Sequence, residues 1–308
     1  EEHDALECVV YRDWCPHCLA AKGLGQHRSH GSGPDGLPEI WLDYGFMGDD
    51  EEKVLPILVV KDGKTGRLGA TYVDAKGPTP YAKKWLRNFI VETGYKRVRM
   101  RSDGERAIVS LKLEAAKDAG VENVPAESPP GEHESNGTAE VAVKEVKKQM
   151  RVMRSRLEAK FKMRLPDEHL LLKWLPGHAA DMISRYRKGS DGMTSERRRT
   201  GKDWSKPVLN YGERAMFKPV RARESSTYEP KMIDGRYVGH SSRTGVALAL
   251  TGEGVIAATG IRRMIDEEKW DPKGLGSLKG TPWAVNAREK KDGDAAIELP
   301  AVGGDEGK

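Results

Sequence analysis

The sequence is poor in cysteine: 308 residues carry three, Cys8, Cys15 and Cys18, all at the start. An odd, clustered set of this kind does not read as the disulfide framework of a secreted protein, and points instead to metal binding or redox chemistry. Long apolar runs are also missing. The longest, Val54 to Val60, is far short of the about 20 residues needed to cross a bilayer, so no membrane span is expected. The chain opens Glu1-Glu2-His3, with no basic start and no apolar stretch behind it, which is not the pattern of a secretory leader. It has no initiator Met, as expected of a piece cut from a longer polyprotein. There is no internal repeat and no strong net charge. The balance is +5, from 52 Lys and Arg against 47 Asp and Glu, and mean hydropathy is −0.65.

The charge is unevenly spread. From Lys144 to Arg164 there are nine Lys or Arg and two acids, Glu145 and Glu158. Such a cluster suits a polyanion partner, although a solvated helix face has the same composition. The length allows roughly two or three domains. Alternation and turn signals predict strands over 39–46, 54–61 and 68–73, with a hairpin turn at Asp62-Gly63-Lys64-Thr65-Gly66. Helical spacing follows over 79–93, then a strand over 97–101, a helix over 105–119 stopped by Gly120, and a strand over 122–127. A polar loop over 128–137 leads into a long helix over 138–161 and another over 166–186. Residues 188–206 read as a basic loop. Short strands over 214–219, 235–239, 245–251 and 255–261 predict a small β-barrel, and residues after Trp270 a tail.

Three acids stand where chemistry can use them together. Asp43 lies inside the first strand, in Ile40-Trp41-Leu42-Asp43-Tyr44, where a charge is costly unless paired or bound to metal. Asp103 follows directly on the fourth strand, a common position for site residues in α/β folds. Glu140 enters the first turn of the long helix after Ser135-Asn136-Gly137. Carboxylates gathered at one place repel each other, and divalent cations relieve that repulsion. Phosphoryl transfer between polynucleotides needs an activated attacking oxygen and a stabilised leaving oxygen, and two Mg²⁺ ions about 4 Å apart supply both.

With these words the chain resembles the integrases of Copia-type LTR retrotransposons, relatives of retroviral integrases. That family carries a D,D,E triad on an RNase H-like fold, the last two acids about 35 residues apart, with the Glu three residues after a Gly. Here Asp103 and Glu140 enclose 36 residues, and Glu140 stands three after Gly137 in Ser-Asn-Gly-Thr-Ala-Glu. Asp43, in Leu-Asp-Tyr-Gly-Phe, matches the family's first block. The resemblance covers roughly residues 3–286. It implies a zinc segment over 1–30, an RNase H-like mixed-sheet α/β core over 38–190, an SH3-like β-barrel over 205–270 and a flexible tail over 271–308. It implies an enzyme joining element DNA 3′ ends to target DNA, with Asp43, Asp103 and Glu140 as catalytic residues and ligands to Mg²⁺ or Mn²⁺. Glu105 reads as supporting and Glu134 as a loop acid. A homo-oligomer acting on DNA in the nucleus, after a cytoplasmic particle stage, is also implied. The alternative is a catalytically inactive or domesticated DNA-binding remnant.

Lys144, Lys147, Lys148 and Arg151 follow Glu140 by four, seven, eight and eleven residues, which is one helix face. Related integrases use this helix on DNA, and these four are the expected phosphate contacts. The family's zinc segment has two His separated by four residues, six further residues, then CxxC. Here the order is His3, Cys8, Cys15, Cys18 at the same spacing, with Cys8 in place of the second His, so a HisCys₃ tetrahedral Zn²⁺ site is implied. His17, His27 and His30 are alternates. Two other readings stay open: a decayed segment with free thiols, and a thioredoxin-like redox motif, because Trp14-Cys15-Pro16-His17-Cys18 follows the possible strand Val9-Val10-Tyr11. In the barrel, Arg221, Arg223, Arg262 and Arg263 are available to DNA but are more simply surface residues, and His169, Trp174 and His178 read as packing.

Overall fold

The computed structural model describes residues 2–10, 12, 14–22, 36–48, 54–125, 137–220, 228 and 230–286. The central sheet has five strands in the order β3-β2-β1-β4-β5. β1 (Glu39–Gly45), β2 (Ile57–Asp62) and β3 (Leu68–Tyr72) form an antiparallel meander. β4 (Arg97–Arg101) and β5 (Glu122–Asn123) are parallel, β4 lying beside β1.

Period-two alternation sends alternate side chains to opposite faces. Ile40, Leu42, Tyr44, Leu58 and Val60 pack on α3 (Pro80–Thr93) and α4 (Arg106–Ala119), through Leu86, Ile90, Ile108 and Leu111. Ile57, Val59, Leu68, Ala70 and Tyr72 pack on α5 (Gly137–Phe161) and α6 (Leu170–Tyr186), through Val146, Met150, Leu171 and Leu175. The result is a helix layer on each side of a mixed sheet. Local signals set the helix ends. Thr79 caps α3 by accepting from the Ala82 N–H, and Gly94 and Gly120 close α3 and α4 in the left-handed conformation. No helix among the described residues is long and apolar enough to cross a membrane.

β6 (Arg214–Pro219), β7 (Ile233–His240), β8 (Ala247–Thr251) and β9 (Gly254–Arg263) close an antiparallel barrel, β6 pairing with both β7 and β9. Phe217, Tyr237, Ala249 and Ala258 fill it.

Four expectations differ from the structure. The basic loop contains a short helix, α7 (Ser195–Thr200), capped by Thr194 and closed by Gly201. Its arginines are neutralised locally: Arg197 by Asp203 at 3.4 Å, Arg198 by Asp191 at 2.6 Å and Arg199 by Glu196 at 2.8 Å. β5 shrinks to two residues because only Glu122 and Asn123 find partners, on Arg97 and Val98. The start of the expected flexible tail is packed. After α8 (Asp266–Lys269), Leu275, Leu278 and Val285 are buried, and Lys279 and Asn286 bridge to Thr251 and Gly254 at the turn joining β8 and β9. Apolar residues spaced through a Gly-rich stretch anchor it without a regular period; residues 287–308 lie outside the described residues. Lastly, Val9 belongs to the main core and is not in a strand.

Candidate functional site

Parallel pairing of β1 and β4 determines where two acids stand. Glu39 is level with Arg99 and Trp41 with Arg101, and a further step of two residues along each chain reaches Asp43 and Asp103. Asp43 shares its sheet face with Val59 across β2, the face covered by α5. Gly45, two residues on, shows how closely α5 approaches. A Cβ there would lie 2.7 Å from Val143 Cγ1 and 3.8 Å from Lys147 Cδ. The missing side chain lets the first turns of α5, with Glu140, lie over the end of β1.

The charges interact. Burial pushes the Asp43 carboxyl up to about 6, against the Tyr44 N–H that donates to it at 2.8 Å, and the negative charges of Asp103, Glu140 and Glu105 push it further. Asp103 accepts from the Glu105 N–H at 3.3 Å. Two cations flank the group that sequence patterning did not single out. Lys112 donates to Ser102 Oγ at 3.0 Å, and burial lowers its pKa while Asp103 raises it. Lys76 pairs with Glu105 at 3.0 Å and lies over the Tyr44 and Phe46 rings. Neither lysine sits in a recognisable motif; only the fold brings them here. Glu105 is thus a neighbour of the pair and a partner of Lys76. Glu134 lies outside the described residues.

Glu140, like Asp103, is exposed. Its side chain is 56% exposed and 3.9 Å from the Lys144 ammonium. The three carboxylates reach one another electrostatically, but their oxygens are not gathered into one ligand set. The donor chemistry still fits a hard divalent cation: oxygen ligands, excess negative charge, and a half-buried carboxylate whose ionisation its neighbours oppose. Asp43, Asp103 and Glu140 would hold it. Along α5, Lys144 and Arg151 are exposed and Lys147 and Lys148 half-buried, all on the side that carries Glu140.

Gly45 offers a test of this geometry. Gly45→Ala should push the start of α5 off β1, at a cost of about 1–3 kcal/mol in stability. Adding Val143→Ala should recover most of that loss in chemical denaturation. A stable single variant, or a double variant no better than the single, would mean that the contact does not set the helix position.

At the N-terminus, α1 (Glu2–Ala5) and α2 (Pro16–Lys22) flank a turn with positive φ at Glu7 and Cys8. His3, Cys8, Cys15 and Cys18 converge, their ligand atoms all within 4.8 Å of one another. Cys8 Sγ is 3.7 Å from Cys15 Sγ, and Cys18 Sγ is 3.6 Å from His3 Nε2. A tetrahedral zinc ion with Zn–S of about 2.3 Å and Zn–N of about 2.0 Å requires edges of roughly 3.8 and 3.6 Å. These two spacings match and the other ligand atoms lie within 4.8 Å, so this group could bind zinc. Without a cation the pKa values of the Cys8 and Cys15 thiols shift in opposite directions. Burial pushes Cys8 up to about 12, aided by the neighbouring thiols and opposed by Arg156. Cys15 is lowered despite its burial, by backbone N–H donors of Cys18 and His17 at the start of α2 and by contacts with the Cys8 and Cys18 thiols. Of the alternate ligands, His17 instead contacts Ser155 Oγ at 2.8 Å, and His27 and His30 lie outside the described residues, as do Arg221 and Arg223. His178 is buried and bonded to Glu7, a packing role; His169 caps α6.

No family model matches the chain, and no curated protein matches it. Many solved structures are similar to it, two of which serve as examples. One is the simian T-cell lymphotropic virus intasome in complex with PP2A regulatory subunit B56 gamma, at 13% identity over 82% of this chain and 86% of that one, with a TM-score of 0.37. The other is the catalytic core domain of BIV integrase, at 16% identity over 51% of this chain and 90% of that one, with a TM-score of 0.35. At these TM-scores the likeness fixes neither register nor site, and the chemistry rests on the chain's own residues.

Proposed function

We propose that this chain is the integrase portion of a Copia-type retrotransposon polyprotein, a metal-dependent enzyme that joins element DNA 3′ ends to target DNA. The observation that carries the reading is the parallel pairing of β1 with β4, which brings Asp103 and half-buried Asp43 to the same end of the sheet, where burial first and then the charges of Asp103 and Glu140 oppose ionisation of Asp43. In this reading residues 38–190 are an RNase H-like core and the barrel is SH3-like. The divalent ions, Mg²⁺ or Mn²⁺, would supply charge stabilisation for phosphoryl transfer. Asp43 and Asp103 bind and orient from the ends of adjacent strands, and Glu140 completes the set when its carboxylate leaves Lys144. Lys144, Lys147, Lys148 and Arg151 hold backbone phosphates beside that point, a contact that tolerates any sequence. The protein would work as an oligomer on DNA in the nucleus.

The test is joining of a labelled duplex end to a second duplex with Mg²⁺ or Mn²⁺ against the same mixture with chelator. Metal-dependent joined products are expected. DNA binding with no joining under either metal would favour the inactive or domesticated remnant. Replacing Lys144, Lys147, Lys148 and Arg151 together with Ala should weaken binding and lower the salt slope by about 0.9 for each duplex phosphate no longer neutralised. An unchanged slope would make that face merely solvated.

A further inference from the structure

The turn that carries Cys8 also carries a deeply buried carboxylate. Glu7 is buried, its side chain 4% exposed. Its Oε2 accepts from His178 Nε2 on α6 at 2.5 Å, and its Oε1 accepts from the Tyr211 N–H, just before β6, at 2.5 Å. Its carbonyl accepts from Gln149 Nε2 on α5 at 2.7 Å. One residue therefore binds two core helices and the entry to the barrel. The next residue, Cys8, belongs to the metal-ligand group, and both stand in the left-handed region at φ 50° and 58°. A non-glycine residue keeps that conformation only where its surroundings enforce it. Here they are the Glu7 acceptor bonds on one side and the thiol group on the other.

The core and the barrel share an apolar seam, in which Val238, Leu248 and Leu250 join Leu171 and Leu175, and the Ser242 hydroxyl donates to Glu92 across it. The His178 ring packs on Tyr211 and Tyr237 at 5.0 and 5.6 Å between centroids, and the Tyr211 hydroxyl donates to the Leu171 carbonyl. The Gly212 N–H donates to the Tyr237 carbonyl at 2.8 Å, within the barrel. Beside Tyr211, Glu7 is the charged group, and it is reached through the metal-ligand turn.

We propose that Glu7 is a positioning residue that couples zinc in the His3, Cys8, Cys15, Cys18 group to the seating of the barrel on the core. Zinc fixes the turn, the turn aims the carboxylate, and the carboxylate holds His178 and the Tyr211 amide. Emptying the group releases the turn and loosens the barrel. This rests on the zinc reading of the cluster and not on the strand-transfer activity. Coupling between two sites is reciprocal: whatever factor zinc adds to the junction, the junction adds to zinc affinity.

The experiment uses the full chain and Zn²⁺ itself. Amide hydrogen exchange over residues 209–213 is measured in wild-type protein with zinc and after chelation, and zinc affinity is measured in wild type and Glu7→Ala. Exchange at the Tyr211 amide should speed up by about 5–150-fold on chelation, and zinc affinity should fall by a similar factor in Glu7→Ala. If zinc binds but chelation leaves 209–213 protected, or if Glu7→Ala holds zinc as tightly as wild type, the coupling is overturned. Protein that takes up no zinc at all would overturn the metal reading and this inference with it. The wild-type comparison decides the matter even if Glu7→Ala fails to fold.

Discussion

Asp43→Asn is expected to abolish strand transfer and, in metal-free protein at pH 8, to raise stability. The two effects share one cause. Asn keeps the shape and removes the negative charge that a divalent cation would use. Losing several kcal/mol of charge stabilisation corresponds to a rate loss on the order of 10³-fold. Without metal the same charge is a burden. Folding raises the Asp43 pKa from the ordinary 3.8 to about 6, chiefly by burial and then by Asp103, Glu140 and Glu105. Between those values the native state holds a proton that the unfolded state has released. Stability from this group is therefore present below pH 3.8 and lost as pH rises through 6. The carboxylate is only half-buried, so screening leaves a penalty on the order of 1 kcal/mol. Denaturant melts should show the Asn variant ahead of wild type at pH 8, level with it near pH 4, and no longer ahead once millimolar Mg²⁺ is added. Near-normal joining by Asp43→Asn would refute the catalytic assignment. A stability gain of equal size at pH 4 and pH 8 would show that the carboxylate's titration is not the cause.

Removing zinc should collapse the N-terminal segment. α1 and α2 have four and seven residues, below the about 12–15 at which an isolated helix becomes even marginal. A structural zinc site of this kind contributes an apparent ~10–16 kcal/mol at neutral pH, comparable to the entire net stability of a domain. Purified protein should hold about one zinc and show no reactive thiol. Chelation should expose three thiols and open the face of α5 around Val152, which the three cysteines cover. Because burial holds Cys8 near 12 in the absence of metal, zinc uptake must expel its proton, and acidification should release the ion. Protein free of zinc and cycling between a Cys15–Cys18 disulfide and dithiol would instead support the redox reading. The redox motif would also call for a sheet around it, and among the described residues Val9 packs into the main core instead.

How much of this was legible in the sequence depended on how local each signal was. Strands and helices with a clear period and a cap were readable: Thr79 and Gly94 bracket α3, and Gly120 ends α4. α7 was hidden by its arginines, although Thr194 before it and Gly201 after it are ordinary start and stop signals. The packing of residues 271–286 was not readable, because Leu275, Leu278 and Val285 are anchored singly rather than with a repeat. Three candidate acids could be singled out from their settings, but not their arrangement. That depends on the parallel register of β1 and β4 and on the bare Cα of Gly45. Lys76, Lys112 and Glu7 carried no signal at all, because each owes its place to residues distant in the sequence.

The length of α5 has a consequence of its own. Glu140 occupies its first turn, Gln149, Val152 and Arg156 hold the N-terminal segment at its middle, and Leu157 and Phe161 meet Gly212 and Trp270 near its end. Its 25 residues form a shaft of about 37 Å. Each of these attachments depends on the rotational phase of the helix as well as on side-chain identity. Inserting a single residue after Val146 would turn everything downstream by about 100°. The cysteine segment and the barrel junction would then face the wrong way, with no side chain altered. Seven added residues, close to two full turns, would restore the phase but carry both attachments about 10 Å further along the axis. The helix is therefore constrained in length as well as in the identity of the residues that make these attachments.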